Sequence, residues 1–176
     1  TTGNAKDFGD VVTGKRLAMG NSNGSRGLIM GGYIPPSGPT SVSSNIIDYV
    51  TIGIAAAAID YGDLLIPART SGGVSDGSRG LCIGGTKTPF PGYLSSIDYM
   101  NIGAIGNASD FGEIQAGVSS NGTASSNGSR GIHNIGSQGP TNSDGVDYFT
   151  IGVLGASVDF NELSSARYAM AAFSGD

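Results

Sequence analysis

The chain has no tryptophan, one cysteine and one histidine, and only 13% of its 176 residues carry a charge. Each scarcity removes a class of function. A single thiol, Cys82, makes an intrachain disulfide impossible and leaves the redox compartment unreadable. In a strand it is expected as a small buried hydrophobe. One histidine, His133, with one cysteine falls short of a zinc site or a copper centre, which need several such ligands together. His133 is therefore read as structural. A Ser-His-Asp triad has its residue types but no Gly-x-Ser-x-Gly turn to present the serine. No catalytic, cofactor-binding or metal-binding residue is assigned, and the chain is not expected to be an enzyme. Nine basic residues against 14 acidic ones are scattered, and the net charge of −5 opposes contact with phosphates, so no nucleic-acid partner is expected. The longest apolar run, Ile52 to Ile59, is far below the ~20 residues of a membrane span, and no membrane partner is expected. No signal peptide is legible and residue 1 is not Met. A leader removed by processing, or a longer protein of which this is a piece, is expected.

Glycine, by contrast, is abundant at 31 residues, beside 38% hydrophobic residues. That pairing opposes disorder and suits an all-β chain with many tight turns. Helix signals are nearly absent: Ala55 to Ala58 is too short to stand alone. Internal repetition supplies the organisation. Asn23-Gly24-Ser25-Arg26-Gly27 returns as Asp76-Gly77-Ser78-Arg79-Gly80 and Asn127-Gly128-Ser129-Arg130-Gly131, with intervals of 53 and 51 residues between arginines. Ile47-Asp48-Tyr49 through Ile52-Gly53 returns at Ile97 to Gly103 and at Val146 to Gly152. A third marker occurs as Asp7-Phe8-Gly9, Asp60-Tyr61-Gly62, Asp110-Phe111-Gly112 and Asp159-Phe160-Asn161.

The Asn-Gly and Asp-Gly pairs predict two-residue hairpin turns with positive φ at both central positions. Strands are accordingly expected over Leu17 to Ser22, Arg26 to Gly31, Ile46 to Ile52 and Asp60 to Ile66. A Pro/Gly/Ser-rich loop, Tyr33 to Asn45, joins the second to the third.

These markers resemble the kelch family of β-propeller repeats. One repeat reads Arg16, Gly31-Gly32, Asp48-Tyr49, Tyr61 and Leu64, and the next Arg69, Gly84-Gly85, Asp98-Tyr99, Phe111 and Ile114. The third begins at Val118 in place of arginine, has Ile135-Gly136-Ser137 for the double glycine, and continues with Asp147-Tyr148, Phe160 and Leu163. The kelch tryptophan is missing throughout. The resemblance implies blades of four antiparallel strands, the first innermost and the fourth outermost. It divides residues 1–176 into a last strand at 1–15, repeats at 16–66, 67–116 and 117–166, and a further first strand at 167–176. That is about three and a half repeats of ~50 residues, which do not close a ring. A longer repeat protein, or a subunit covered by other chains, is expected.

The wording of the repeats is also similar to that of large virion structural proteins of marine bacteriophages, in Gly3 to Gly9, Gly106 to Gly112, Ser-Arg-Gly and Asp48 to Ile52. This implies a non-enzymatic structural or adhesive module of a virion, located there or extracellularly. Its partners would be other copies, other virion proteins or surface glycans, met through the loops Tyr33 to Asn45, Thr86 to Ser96 and Ser137 to Gly145. The alternative is a cellular carbohydrate- or protein-binding propeller.

Arg26, Arg79 and Arg130 recur once per repeat, and a device that follows the repeat is read as packing rather than as a binding site. They are expected to be buried, each bonded to a backbone carbonyl or to a carboxylate of the set Asp48, Asp98, Asp147 or the set Asp60, Asp110, Asp159. Phe8, Tyr61, Phe111 and Phe160 are expected to pack between repeats in place of the tryptophan.

Overall fold

The computed structural model describes residues 4–35, 42–70, 72–115, 117 and 119–172. Among them there is no helix, and the strands form three four-stranded antiparallel sheets. The first contains β1 (Met19–Ser22) and β2 (Arg26–Met30), with the small hairpin β3 (Tyr33–Ile34) and β4 (Val42–Ser43) inserted before β5 (Ile46–Thr51) and β6 (Ile59–Asp63). The second is β7 (Gly72–Ser75), β8 (Arg79–Lys87), β9 (Gly92–Asn101) and β10 (Ser109–Glu113). The third holds β11 (Thr123–Ser126) and β12 (Arg130–Asn134), the hairpin β13 (Ser137–Gln138) and β14 (Thr141–Asn142), then β15 (Gly145–Thr150) and β16 (Val158–Glu162). In each sheet the strands lie side by side in chain order, antiparallel throughout.

The turns differ from expectation in one respect. Ser22 pairs with Gly27, so Asn23 lies opposite Arg26 and the central residues are Gly24-Ser25. Only the glycine has positive φ: 83° at Gly24, 86° at Gly77 and 85° at Gly128. Asn23 instead closes the turn with its side chain, whose Oδ1 accepts from the Ser25 and Arg26 N–H groups at 3.1 and 2.8 Å. Asp76 and Asn127 do the same. A short acceptor at this position serves because it satisfies turn amides, not because it tolerates positive φ.

The Asp-aromatic-Gly marker is a β-bulge. The register slips between Ile47 and Asp48 opposite Tyr61, and likewise at Phe111 and Phe160. The extra residue is the aromatic one, and the bulge aims it out of its own sheet. The following glycine has φ of 142° at Gly62 and 148° at Gly112, where a Cβ would stand 2.6 Å from the Gly106 carbonyl oxygen and 2.3 Å from that of Gly155. Both contacts are on the next sheet, so the glycine permits backbone-to-backbone approach.

Two cores result. Leu28, Met30, Tyr61 and Leu64 meet Cys82, Met100 and Ile102 between the first and second sheets. Leu81, Ile83, Phe111 and Ile114 meet Phe149 and Ile151 between the second and third. Cys82 is buried as expected, its Sγ 3.3 Å from Met19 Sδ. Burial pushes the thiol pKa up, with Asp98 adding to it. Along the segments that connect the sheets, the Thr70 N–H donates to the Leu17 carbonyl, that of Asn121 to Thr70 and that of Ala169 to Asn121, at 3.1, 2.7 and 3.1 Å. The four residues share φ near 55°, a conformation that recurs once per repeat.

Three expectations are corrected. Asp7 to Val12 forms no strand, although Asp10 accepts from Ala58 N–H at 2.8 Å as Asp63 does from Ala108. Residues 167–172 are likewise not a strand, and Phe173 lies outside the described residues, as do Val118, Gly3 and residues 36–41 of the first loop. The second loop is shorter than expected: β8 and β9 run on as one long hairpin, leaving only residues 88–91 as its turn.

Candidate functional site

The repeated arginines fall on the strand after each turn. Arg26 lies over the Tyr49 ring, 4.4 Å from guanidinium carbon to centroid, and donates through Nη1 to the Ile102 carbonyl of the next sheet at 2.8 Å. Arg79 repeats this with Tyr99 at 4.6 Å and the Ile151 carbonyl at 3.0 Å. Arg130 lies 4.7 Å over Tyr148 and is exposed, with no described sheet against it. None of the three is buried as expected, since Arg26 and Arg79 are half-buried, and among the described residues their partners are rings and carbonyls, not the aspartates.

The aspartates divide by position. Asp48, Asp98 and Asp147 are buried, whereas Asp60, Asp110 and Asp159, directly opposite them across the bulged pair, are exposed. Asp98 accepts the Leu65 N–H of the preceding repeat at 3.0 Å. Asp147 reaches the corresponding segment through Ser157, whose hydroxyl donates to Asp147 and accepts from Gln115 N–H. Asp48 instead forms an ion pair with Lys15 at 2.9 Å, both side chains almost wholly buried. The repeat pattern did not point to Lys15, because the equivalent positions of the second and third repeats, Ala68 and Ser119, are not basic. Burial raises the Asp98 pKa to about 6 against the Leu65 hydrogen bond, helped by Asp110 and Glu113.

The aromatics behave in two ways. Tyr61 and Phe111 are 1% and 2% exposed. The Tyr61 hydroxyl donates to the Asn101 and Ala104 carbonyls, the latter at 2.7 Å. Phe111 packs edge-on against Phe149 with centroids 6.2 Å apart. Phe8 and Phe160, expected to be buried between repeats, are 38% and 54% exposed, since no described sheet precedes the first or follows the third. His133 is fully buried, its Nε2 3.3 Å from Ser119 Oγ, and burial lowers its pKa to about 4. It is neutral and enclosed, with no access for a substrate. Among the described residues no group of three or more His, Cys, Asp or Glu could hold a metal ion.

One cluster stands apart from the repeat. Where the entry segments of the three repeats converge, Arg16 and Arg69 both lie over the Tyr33 ring, at 4.9 and 4.3 Å from its centroid. Arg69 Nε donates to Thr86 Oγ1 at 3.2 Å. Arg16 pairs with Tyr33, Arg69 with Thr86 and Ser120 with Ser137 through isolated backbone bridges, which fixes the side chains around a cavity of about 340 Å³. The sequence marks Arg16 and Arg69 as the opening residues of repeats, but their meeting on one ring depends on the stacking of sheets. No protein-family model matches the chain, and no curated protein matches it in sequence.

Proposed function

We propose that the three sheets are successive blades of a kelch-like β-propeller and that the chain is a non-enzymatic structural or adhesive module of a phage virion. It meets other copies, other virion proteins or surface glycans through the connections between the second and third strands of each sheet. The observation that carries this reading is a division of labour. The repeated residues are used in joining sheet to sheet: Arg26 to Ile102, Arg79 to Ile151, Tyr61 and Phe111 into the neighbouring core. The connections, in contrast, differ in every repeat: a short hairpin at Tyr33–Ser43, an extended one turning at residues 88–91, and a second short one at Ser137–Asn142. Elements that hold the array follow the repeat, and elements free of that duty vary and are available for contact. The propeller reading is supported by the strand order and by the ladder through Leu17, Thr70, Asn121 and Ala169.

Mass spectrometry of purified phage particles, with immunogold labelling, tests the location. The chain is expected in the particle. Recovery only from uninfected cells overturns the virion reading in favour of a cellular carbohydrate- or protein-binding propeller. Electron cryomicroscopy of the assembled protein is expected to show sheets arranged radially about one axis, and a straight stack of sheets would refute the blades.

A further inference from the structure

The cavity at Arg16, Tyr33 and Arg69 is where the repeat stops repeating. The packing arginines recur as Arg26, Arg79 and Arg130, each over its own tyrosine. At the cavity, the equivalent positions read Arg16, Arg69 and Ser120 (not Val118, as the repeat pattern suggested) on the entry segments, and Tyr33, Thr86 and Ser137 on the connections. A packing device would be expected three times, but this cluster is built once. Two cations share one ring here in a chain whose net charge is −5, and among the described residues neither has a carboxylate partner. Two guanidinium groups without a described carboxylate partner on one cavity make it a place of positive potential that suits an anion.

The remaining lining narrows the anion. Arg69 lines the cavity and is held by Thr86 through Nε, which leaves its Nη1 and Nη2 groups without a described acceptor. A guanidinium edge matches a carboxylate with two parallel hydrogen bonds. Phe90, at the tip of the long β8–β9 hairpin, lines the same space at 66% exposure and is steadied edge-on by Tyr93 at 5.7 Å. An exposed aromatic face is suited to the C–H face of a pyranose. Thr70 and Asn121 also line it, the hydroxyl bonded to the Arg69 carbonyl and the amide to Ser120 Oγ. The volume, about 340 Å³, accommodates one sugar residue with part of a neighbour.

We propose that this cavity binds an acidic saccharide, its carboxylate held by Arg16 and Arg69 and its ring face laid on Phe90. The inference rests on the adhesive half of the proposed function and names its ligand class. It needs neither the virion location nor a closed ring.

Isothermal titration and amide chemical-shift mapping of the full chain against 3′-sialyllactose, a glucuronate-containing disaccharide, lactose and inorganic sulfate test it. Saturable binding of at least one carboxylated sugar is expected, with shifts centred on residues 16–17, 69–70 and 86–90, and with lactose and sulfate at least tenfold weaker. Arg16→Gln, at an exposed position, should weaken binding roughly tenfold with an unchanged melting temperature. Phe90→Ala should weaken it several-fold. The proposal is overturned by no saturable shift with either acidic sugar, by equal affinity for lactose or sulfate, or by indifference to Arg16→Gln. If the chain is found in virions yet binds no acidic sugar, this inference fails alone. If the chain binds the sugar but is absent from particles, the virion reading fails and this one stands.

Discussion

Asp98 and His133 are buried ionisable groups whose pKa values move in opposite directions, and each leaves a signature in stability against pH. Burial raises Asp98 to about 6, above the ordinary carboxylate value. The folded chain therefore holds that proton more tightly than the unfolded one. The associated stability is fully present below about pH 4 and is lost as pH rises through about 6. His133, lowered to about 4, works the other way. Its contribution is present above about pH 6.5 and is lost as pH falls toward 4. Asp98→Asn, which keeps an acceptor for Leu65 N–H, should abolish the Asp98 share. Urea midpoints of this variant between pH 4 and 6.5 should rise more steeply with pH than those of the parent. Parallel profiles would refute the assignment. The arginines form an internal series of the same kind. Arg26→Ala and Arg79→Ala each remove a ring contact and strand a carbonyl of the next sheet, at a cost of about 1–3 kcal/mol. Arg130→Ala, with no described sheet beyond it, should cost less than about 0.5 kcal/mol in the monomer. Equal losses at all three in denaturant melts would contradict the intersheet role. That arginine would recur was legible in the sequence. A backbone carbonyl was among the expected partners, but which one was not legible, because backbone acceptors are alike in sequence and only stacking selects Ile102 and Ile151.

The bulges and turns show how an element can be foreseen while its working is not. Asp-aromatic-Gly was recognisable as a marker, yet its role as a bulge that turns the aromatic residue toward the next sheet follows from the register slip at Tyr61, Phe111 and Phe160. The three aromatics share one local geometry and differ in what faces them. Phe111→Ala should therefore destabilise by about 3–5 kcal/mol in denaturant melts. Phe160→Ala should cost less than about 1 kcal/mol at concentrations where the chain is monomeric. A large loss at Phe160 would mean that the third sheet is covered by a segment of its own chain. The hairpin turns were placed correctly in the sequence but shifted by one residue. Asn-Gly fits either register, and the pairing of Ser22 with Gly27 decides it.

Across the whole molecule, the first and third sheets expose positions whose counterparts in the other repeats are buried. The third sheet presents Arg130, Ile132 and Phe160, the counterparts of residues that join the first two sheets to their successors. The first sheet presents Ile52 at 45% exposure, where its counterparts Ile102 and Ile151 are fully buried and accept the arginine of the preceding sheet. A second copy of the chain, adding head to tail, would extend the interface already formed twice within it, with residues 7–10 yielding the outer edge they now cover. Sedimentation velocity should accordingly show mass increasing with concentration, and Phe160→Ser combined with Ile132→Ser should suppress it. A concentration-independent monomer in the parent chain would show that the faces do not join. The sequence by itself determined the all-β class, the three repeats, the turn sites and the burial of Cys82, because strand alternation, glycine conformation and periodic spacing are local properties. The tertiary structure alone decided that Lys15 neutralises Asp48, that Phe160 stays exposed while Phe111 does not, and that Arg16 and Arg69 meet on Tyr33. Each of these depends on which sheet stands next to which, and identical local motifs acquire different surroundings according to their place in the stack.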